Sequence, residues 1–342
     1  MRSTLGRVPG RVTAARALAV VLLLAVLLLA VAACGDDTPP PATPTPTPEA
    51  VQPLTGRPAP DGVPDRPALV VKVDNTGNAA PQAGLGAADL VVEEPVEGGL
   101  TRLAAFLHSA LPEQVAPVRS VRGSDIGIVG PTGGALIASG GAPDVVAQLA
   151  DAGLTLVTPG DADGFTRDPD RRRPYDVMVR PAEALEGSTA LQELEPPPPY
   201  LPWAADDGGP LQGEEVMTVD VAFSGATRAT WTVAPDGGWT RADDLAPVGD
   251  RFVPTTLLVL RVTTVDAGYL DPAGNPVPQV VLEGSGEALL VHDGRAVEAR
   301  WTRNPDPTST LQLTDTDGQA LGVPPGRTWI GLVPEAGSFR AS

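Results

Sequence analysis

Cysteine, histidine, lysine and aromatic side chains are all scarce in this chain of 342 residues. It has 1 Cys, 2 His (His108 and His292) and a single Lys (Lys72), and aromatic residues make up 4% of it. A lone cysteine excludes an intramolecular disulfide and a thiolate zinc cluster. Two histidines leave little for a His-rich metal centre or a Ser-His-Asp triad. No G-x-S-x-G, H-E-x-x-H or Walker A run is present, and Lys72 has Leu69 three residues before it, so S-x-x-K is missing too. No metal and no cofactor is therefore expected, and no complete catalytic set is visible. Positive charge is also short, with 24 Lys+Arg against 42 Asp+Glu and a formal net charge of −18. That balance argues against a nucleic-acid partner, which requires basic surface to displace counterions.

What the chain has in excess is glycine (38) and proline (39), and one long apolar run near its start. Arg2, Arg7, Arg11 and Arg16 precede an uninterrupted apolar stretch from Ala17 to Ala33, with no acid before it. This is the charged region and hydrophobic region of a secretory signal. It ends in Val31-Ala32-Ala33-Cys34, which reads as a bacterial lipobox. Small residues before Cys34 fit a narrow peptidase site, and the thiol accepts a diacylglycerol thioether. A plain transmembrane anchor is the alternative, but the run is at the short limit for a span. The sequence predicts a signal peptide over 1–33 and lipidation at Cys34, placing the chain on the extracytoplasmic face of the cell membrane. Residues 34–53 then form the lipidated Cys and a tether. Its Thr-Pro repeats favour polyproline II, and its length gives a reach of roughly 60 Å.

Beyond the tether, the chain divides into two folded parts. Over 54–194, short apolar runs alternate with helical patterns: Ala68–Val73, Leu90–Val92, Arg102–His108, Ala135–Ser139 and Leu154–Val157 read as strands, Ala142–Ala150 and Pro181–Leu194 as helices. Residues 195–210, rich in Pro and Gly, read as a linker. Over 211–342 the pattern changes to strands and turns, with hairpin signals at Pro235-Asp236-Gly237-Gly238, His292-Asp293-Gly294 and Asp315-Thr316-Asp317-Gly318. The expected fold is α/β (α+β), with a layered sheet-and-helix N-terminal part followed by a mainly antiparallel β C-terminal part.

Several runs then point to a family. RPALVVKVDN (66–75), ADLVVEEPVEGGLTRLAAF (88–106), APVRSVRGSD (116–125), Phe165-Thr166-Arg167-Asp168, Trp301-Thr302-Arg303 and PPGRTWIGLVP (324–334) resemble the YerB-like bacterial lipoproteins, built on domain of unknown function 3048. The resemblance covers essentially residues 53–334. It implies an exported protein with a two-part α/β fold and no established activity. One departure stands out. Where the resemblance leads one to expect His-Asn, this chain has Tyr175-Asp176. If that histidine serves catalysis in relatives, this chain lacks it.

Candidate site residues fall at strand ends. Asp74 and Asn75 end the first strand, Glu93, Glu94 and Glu97 lie at the end of the second, and Arg102 opens the third. Arg119 and Arg122 precede Asp125, and Gly140-Gly141 sits between a strand and a helix start. Ligands of α/β sheets bind beyond the carboxyl ends of strands, and a Gly-Gly turn before a helix exposes N–H groups to an anion. One reading makes Arg119, Arg122, Gly140 and Gly141 an anion site, with Asp74, Glu93, Glu94 or Asp125 as metal ligands or proton carriers. The other makes these residues structural ion pairs, Arg102 with Glu94 or Glu97. Glu93 and Glu94 are adjacent, so they point to opposite faces of a strand and make a poor catalytic pair. The functional expectation is a membrane-held binding or assembly module of the cell envelope. An enzyme on phosphorylated or glycan material and a scaffold docking a membrane protein are the alternatives.

Overall fold

The run ALVVKVD has no polar alternation because both faces of its strand are covered. In the computed structural model, which describes residues 50–205 and 211–342, it forms β1 (Leu69–Asp74), buried throughout. Beside it lie β2 (Leu90–Pro95), β3 (Thr101–Leu107), β4 (Ala135–Ile137) and β5 (Thr155–Val157). A small hairpin pairs β6 (Phe165–Arg167) with β7 (Val177–Val179). The helices are short: α1 (Asp125–Val129), α2 (Pro143–Asp151), α3 (Pro181–Glu186) and α4 (Thr189–Gln192). The single helix expected over Pro181–Leu194 is split at Gly187-Ser188. The Ser188 side chain caps α4 by accepting from Leu191 N–H, which satisfies a backbone donor and starts a new helix.

The C-terminal part supplies β8 (Glu214–Glu215), β9 (Thr218–Ala222), β10 (Arg228–Val233), β11 (Trp239–Arg241), β12 (Thr256–Leu270), β13 (Pro276–Val281), β14 (Gly284–His292), β15 (Arg295–Arg303), β16 (Gln312–Asp315), β17 (Thr328–Pro334) and β18 (Ser338–Ala341). Most pairings here are antiparallel, as expected. The exception is β17, which lies parallel to β12 on one side and to β2 on the other. One sheet therefore runs through both parts, in the order β16-β15-β14-β12-β17-β2-β3-β1-β4-β5. A second sheet, β11-β10-β9-β18, packs on it. Its last strand, Ser338–Ala341, follows the one at which the sequence pattern ends.

Alternation along each strand sends side chains to two cores. One face carries Leu69, Val71, Val73, Val91 and Trp329, packed under the β6–β7 hairpin, α3, α4 and the second sheet. The other carries Val70, Leu90, Val92, Phe106 and Ile330, under α1, α2 and the segment around Tyr200 and Leu201. β12 outlasts the sheet. Its first half is buried between β14 and β17, and its second half pairs only with β13 as a projecting ribbon.

Direction matters for function. β1, β2, β4, β5, β12 and β17 all point one way. The described chain enters at their amino edge, where Pro53 and Thr55 carbonyls accept from Tyr200 N–H (3.0 Å) and Gly326 N–H (2.7 Å). Ordered contacts begin before Leu54, since Val51 bridges to Pro58.

Candidate functional site

At the opposite, carboxyl edge the strand-end residues gather. They form three groups, and strand alternation decides which residue joins which. Lys72, Glu94 and Arg102 point to the α1 face. Lys72 is fully buried between Glu94, which its ammonium contacts closely, and Asp125 Oδ1 at 2.7 Å. Asp125 Oδ2 also accepts from Arg122 N–H at 2.8 Å, which ties α1 to the segment before it. The Arg122 guanidinium grips Glu97 with both of its forks, Nε to Oε2 at 2.9 Å and Nη2 to Oε1. Arg102 lies 3.6 Å from Glu97 and donates to Ser120 C=O at 2.9 Å.

The electrostatics follow from that burial. Burial pushes the Glu94 carboxyl above its ordinary value, against the pull of Lys72. Burial, with Arg122 beside it, takes the Arg102 guanidinium down to about 10. Glu97 goes the other way. Burial alone would raise it, but the Arg122 hydrogen bond and the Arg102 charge hold it below the carboxylate range. Tyr269, from the ribbon, closes over this group, and burial raises its phenol. Glu94 Oε2, Arg102 Nε and Tyr269 Oη are buried without a hydrogen-bond partner.

On the other face Glu93 is the centre. Its Oε1 accepts from Asn75 (2.9 Å) and Thr101 (2.8 Å), and its Oε2 from Arg241 and Trp329, both at 3.2 Å. Arg241 is held in turn by Asp243 through two bonds of 2.8 and 2.6 Å, and stacks against Trp231 and Trp329. Glu93 and Glu94 thus belong to separate networks on opposite sides of the sheet.

The third group sits at the tip of β1. Residues 115–121 cross here from one face to the other: Val118 packs in one core and Val121 in the other. Asp74 Oδ1 accepts from Thr76 N–H (2.8 Å) and Oγ1 (2.6 Å), while Oδ2 lies 3.3 Å from Arg119 Nη1. The Arg119 guanidinium stacks on Tyr175, 5.1 Å from its centroid. Tyr175 stands in the loop between β6 and β7. There Asp176 takes Arg167 (2.7 Å) and Arg173 (3.7 Å), and Asp168 takes Arg171 (3.0 Å).

The glycine turn keeps different company. Gly140 C=O accepts from Val121 N–H at 2.9 Å, and Arg119 C=O accepts from Ser139 N–H at 2.9 Å, so the backbones of the two segments run together. The guanidinia turn elsewhere, Arg119 to Asp74 and Arg122 to Glu97. Gly140 and Gly141 instead border a shallow cleft of about 370 Å³ with Val146, Leu156, Thr158 and Asp161. A wider cleft of about 590 Å³ opens at the same edge between the ribbon and the turn after β2, lined by Pro95, Val96, Phe223, Val277, Pro278 and Pro334. Among the described residues no group of three or more His, Cys, Asp or Glu is placed to hold a metal. Cys34 lies outside the described residues.

Sequence reasoning missed Lys72, Arg241, Asp243, Tyr269 and Tyr175 as members of these groups. Lys72 carried a signal: a single cation inside an otherwise apolar buried strand demands a partner on a neighbouring strand. Arg241 carried none, since its three-residue strand follows directly on the Pro235–Gly238 turn signal and has no pattern of its own.

Comparison with known proteins agrees with this architecture. A crystal structure of YerB protein from Bacillus subtilis superposes with a TM-score of 0.70 at 24% identity, over 85% of this chain and 100% of that one, and so shares the fold. "Putative lipoprotein YerB" of Bacillus subtilis (strain 168) is 28% identical over 295 residues, 83% of this chain and 86% of its own. The models of a protein of unknown function (DUF3048) match here, the N-terminal domain over residues 54–193 and the C-terminal domain over 219–330. With both halves matched in order, the chain belongs to the DUF3048, YerB-like family.

Proposed function

We propose that this protein is a lipid-anchored extracytoplasmic binding module that presents the carboxyl edge of its main sheet away from the membrane. The observation that carries this reading is directional. The chain enters the fold at the amino edge, through Pro53 and Thr55. The polar groups and both clefts lie at the other edge, beyond strands that span about 20 Å. The described chain therefore begins at the edge opposite these groups. The charge pattern supports binding over catalysis. Lys72, Glu94, Glu93 and Asp125 are fully buried and face one another or other fixed partners, with no access for a substrate. The relative's designation as a putative lipoprotein supports the anchoring.

The test begins with native material. The intact mass of protein extracted from membranes should equal residues 34–342 plus a diacylglycerol, and Cys34→Ala should release the chain from the membrane fraction. An unmodified Cys34, or wild-type chain recovered from cytosol, overturns the anchoring. Release of phosphate or sugar from envelope material by the full-length protein, abolished by Arg119→Ala, would establish the enzymatic alternative instead.

A further inference from the structure

The charged residues of the carboxyl edge divide into those that saturate one another and those that do not. Arginines with donors to spare are gathered in one place, although Glu94 Oε2 and Asp176 Oδ1 also lack a partner. Arg119, Arg167, Arg171, Arg172 and Arg173 meet Asp74, Asp168, Asp170 and Asp176 where the β6–β7 loop folds against the tip of β1. Both oxygens of Asp74 are engaged, and so are both of Asp168, by Asp170 N–H and Arg171 Nε. Arg171 commits all three of its nitrogens to Asp168 and to the carbonyls of Ala79 and Pro81, but the other guanidinia have donors to spare. Arg173 is 78% exposed and touches only Asp176, at 3.7 Å. Arg167 is half-exposed and makes a single hydrogen bond. The Arg172 side chain is exposed and makes no hydrogen bond or ion pair. Arg119 offers Asp74 one nitrogen, and Tyr175 fixes its plane.

We propose that Arg119, Arg172 and Arg173, oriented by Tyr175 and Asp176, form a site for the phosphate group of a soluble phosphate ester. This deepens the binding-module reading and rests on it for the ligand's side of the membrane. Guanidinium forks match phosphate oxygens two at a time. Several arginines held on one tight turn, where Tyr175 N–H donates to Arg172 C=O at 2.9 Å, suit a tetrahedral anion better than a flat carboxylate. The surroundings limit its size. Arginines outnumber aspartates in the patch by one, on a chain of net charge −18, so a long polyanion or an anionic bilayer is repelled by the rest of the body. A single phosphate carried on a small polyol or sugar is the chemistry that fits.

The experiment uses full-length protein in mild neutral detergent at low ionic strength. Inorganic phosphate and glycerol 3-phosphate are titrated by calorimetry, and neutral and anionic-lipid vesicles are tested by co-sedimentation. Both soluble phosphates should bind, and Arg172→Gln with Arg173→Gln should weaken them at least tenfold. Those two side chains are exposed, so the variant should keep the wild-type melting temperature. Arg119→Lys retains the charge toward Asp74 but loses the fork, and should weaken phosphate similarly. Arg340→Gln, an exposed arginine on the second sheet, should change nothing. Absence of phosphate binding overturns the proposal, as does binding that survives the Arg172/Arg173 change or falls equally with Arg340→Gln. Tighter capture by anionic vesicles than by soluble phosphate would reassign the source to lipid headgroups and overturn the soluble ester. Failure of anchoring at Cys34 would leave these titrations unchanged, so the two failures are distinguishable.

Discussion

Lys72→Met tests the idea that the carboxyl edge is held by mutual neutralisation of buried charges. Methionine replaces most of the lysine stem, so little volume is lost. What is lost is the cation between Glu94 and Asp125, all three fully buried. Removing one partner from such a group typically costs about 3–5 kcal/mol, because a charge is left uncompensated in the interior. For a body of this size that is a fall of roughly 10 °C in melting temperature. Urea unfolding followed by tryptophan fluorescence reads the loss, since Trp239 and Trp301 are buried. The loss also carries a pH signature. Glu94 already titrates above its ordinary value because of burial, with Lys72 opposing. Without Lys72 its folded-state value rises further. A carboxyl raised in the folded state is penalised only when ionised. The penalty is therefore absent below the unfolded value and grows as pH rises through the folded one. Lys72→Met should lie closer to wild type at pH 5 than at pH 8, and adding Glu94→Gln should restore part of the loss. A loss below about 1 kcal/mol, or one equal at both pH values, would refute the reasoning.

Three further outcomes follow from the same geometry. Arg241→Leu strands Glu93, which is fully buried, and should cost about 3 kcal/mol, with a shift in emission from Trp231 and Trp329, on which Arg241 stacks. Glu97 is depressed in the folded state by Arg122 and Arg102 despite its burial, so its contribution is present above the ordinary value of 4.5 and disappears as pH falls through the folded value; Glu97→Gln should be less stable than wild type at pH 7 and converge with it below pH 4.5. Asp250 accepts from the N–H groups of Gly84 (2.6 Å) and Gly86 (3.0 Å) across the two halves of the chain, and Asp250→Ala should cost about 1–3 kcal/mol in urea unfolding.

Local pattern carried much of this structure. The apolar runs at 68–73, 90–92 and 102–108 are strands, and alternation alone separates Glu93 from Glu94, as the two buried networks show. What alternation cannot carry is the identity of the neighbour. Nothing within TWIGLVP states that β17 slots in parallel between β12 and β2, because burial on both faces gives the same apolar run whichever strands flank it. The pairing of guanidinium to carboxylate was hidden for a related reason. Lys72 meets Asp125 53 residues away, and Arg241 meets Glu93 148 residues away. These contacts depend on where the chain crosses the sheet edge, which no periodicity records. Gly140-Gly141 illustrates the limit from the other side: the turn forms, but the arginines beside it in the backbone send their side chains elsewhere.

Burying Lys72, Arg102 and Arg122 with Glu94, Glu97 and Asp125 is not the cheapest way to fill this edge. Apolar residues of similar volume are often as stabilising or more so. What charges add is uniqueness of placement, since each ion has few positions in which it is compensated. Here they fix the segments that apolar packing would leave loosely registered. Asp125 ties α1 to β1 through Lys72, and Glu97 ties the turn after β2 to Arg122 on the crossing segment. Arg119 is separated from Arg122 by only two residues on that segment, so the interior network sets the position of the guanidinium that reaches Tyr175. A surface site needs such rigid support, because its geometry is only as good as the shell beneath it. The inner charges pair with one another within that support, although Glu94 Oε2 and Arg102 Nε stay unpartnered, and Arg119, Arg172 and Arg173 keep donors free. Loosening the inner network, as Lys72→Met does, should therefore weaken phosphate at Arg119 even though no residue in the site has changed. Unaltered phosphate affinity in folded Lys72→Met would separate the two groups and show that the outer arginines are positioned by the β6–β7 loop alone.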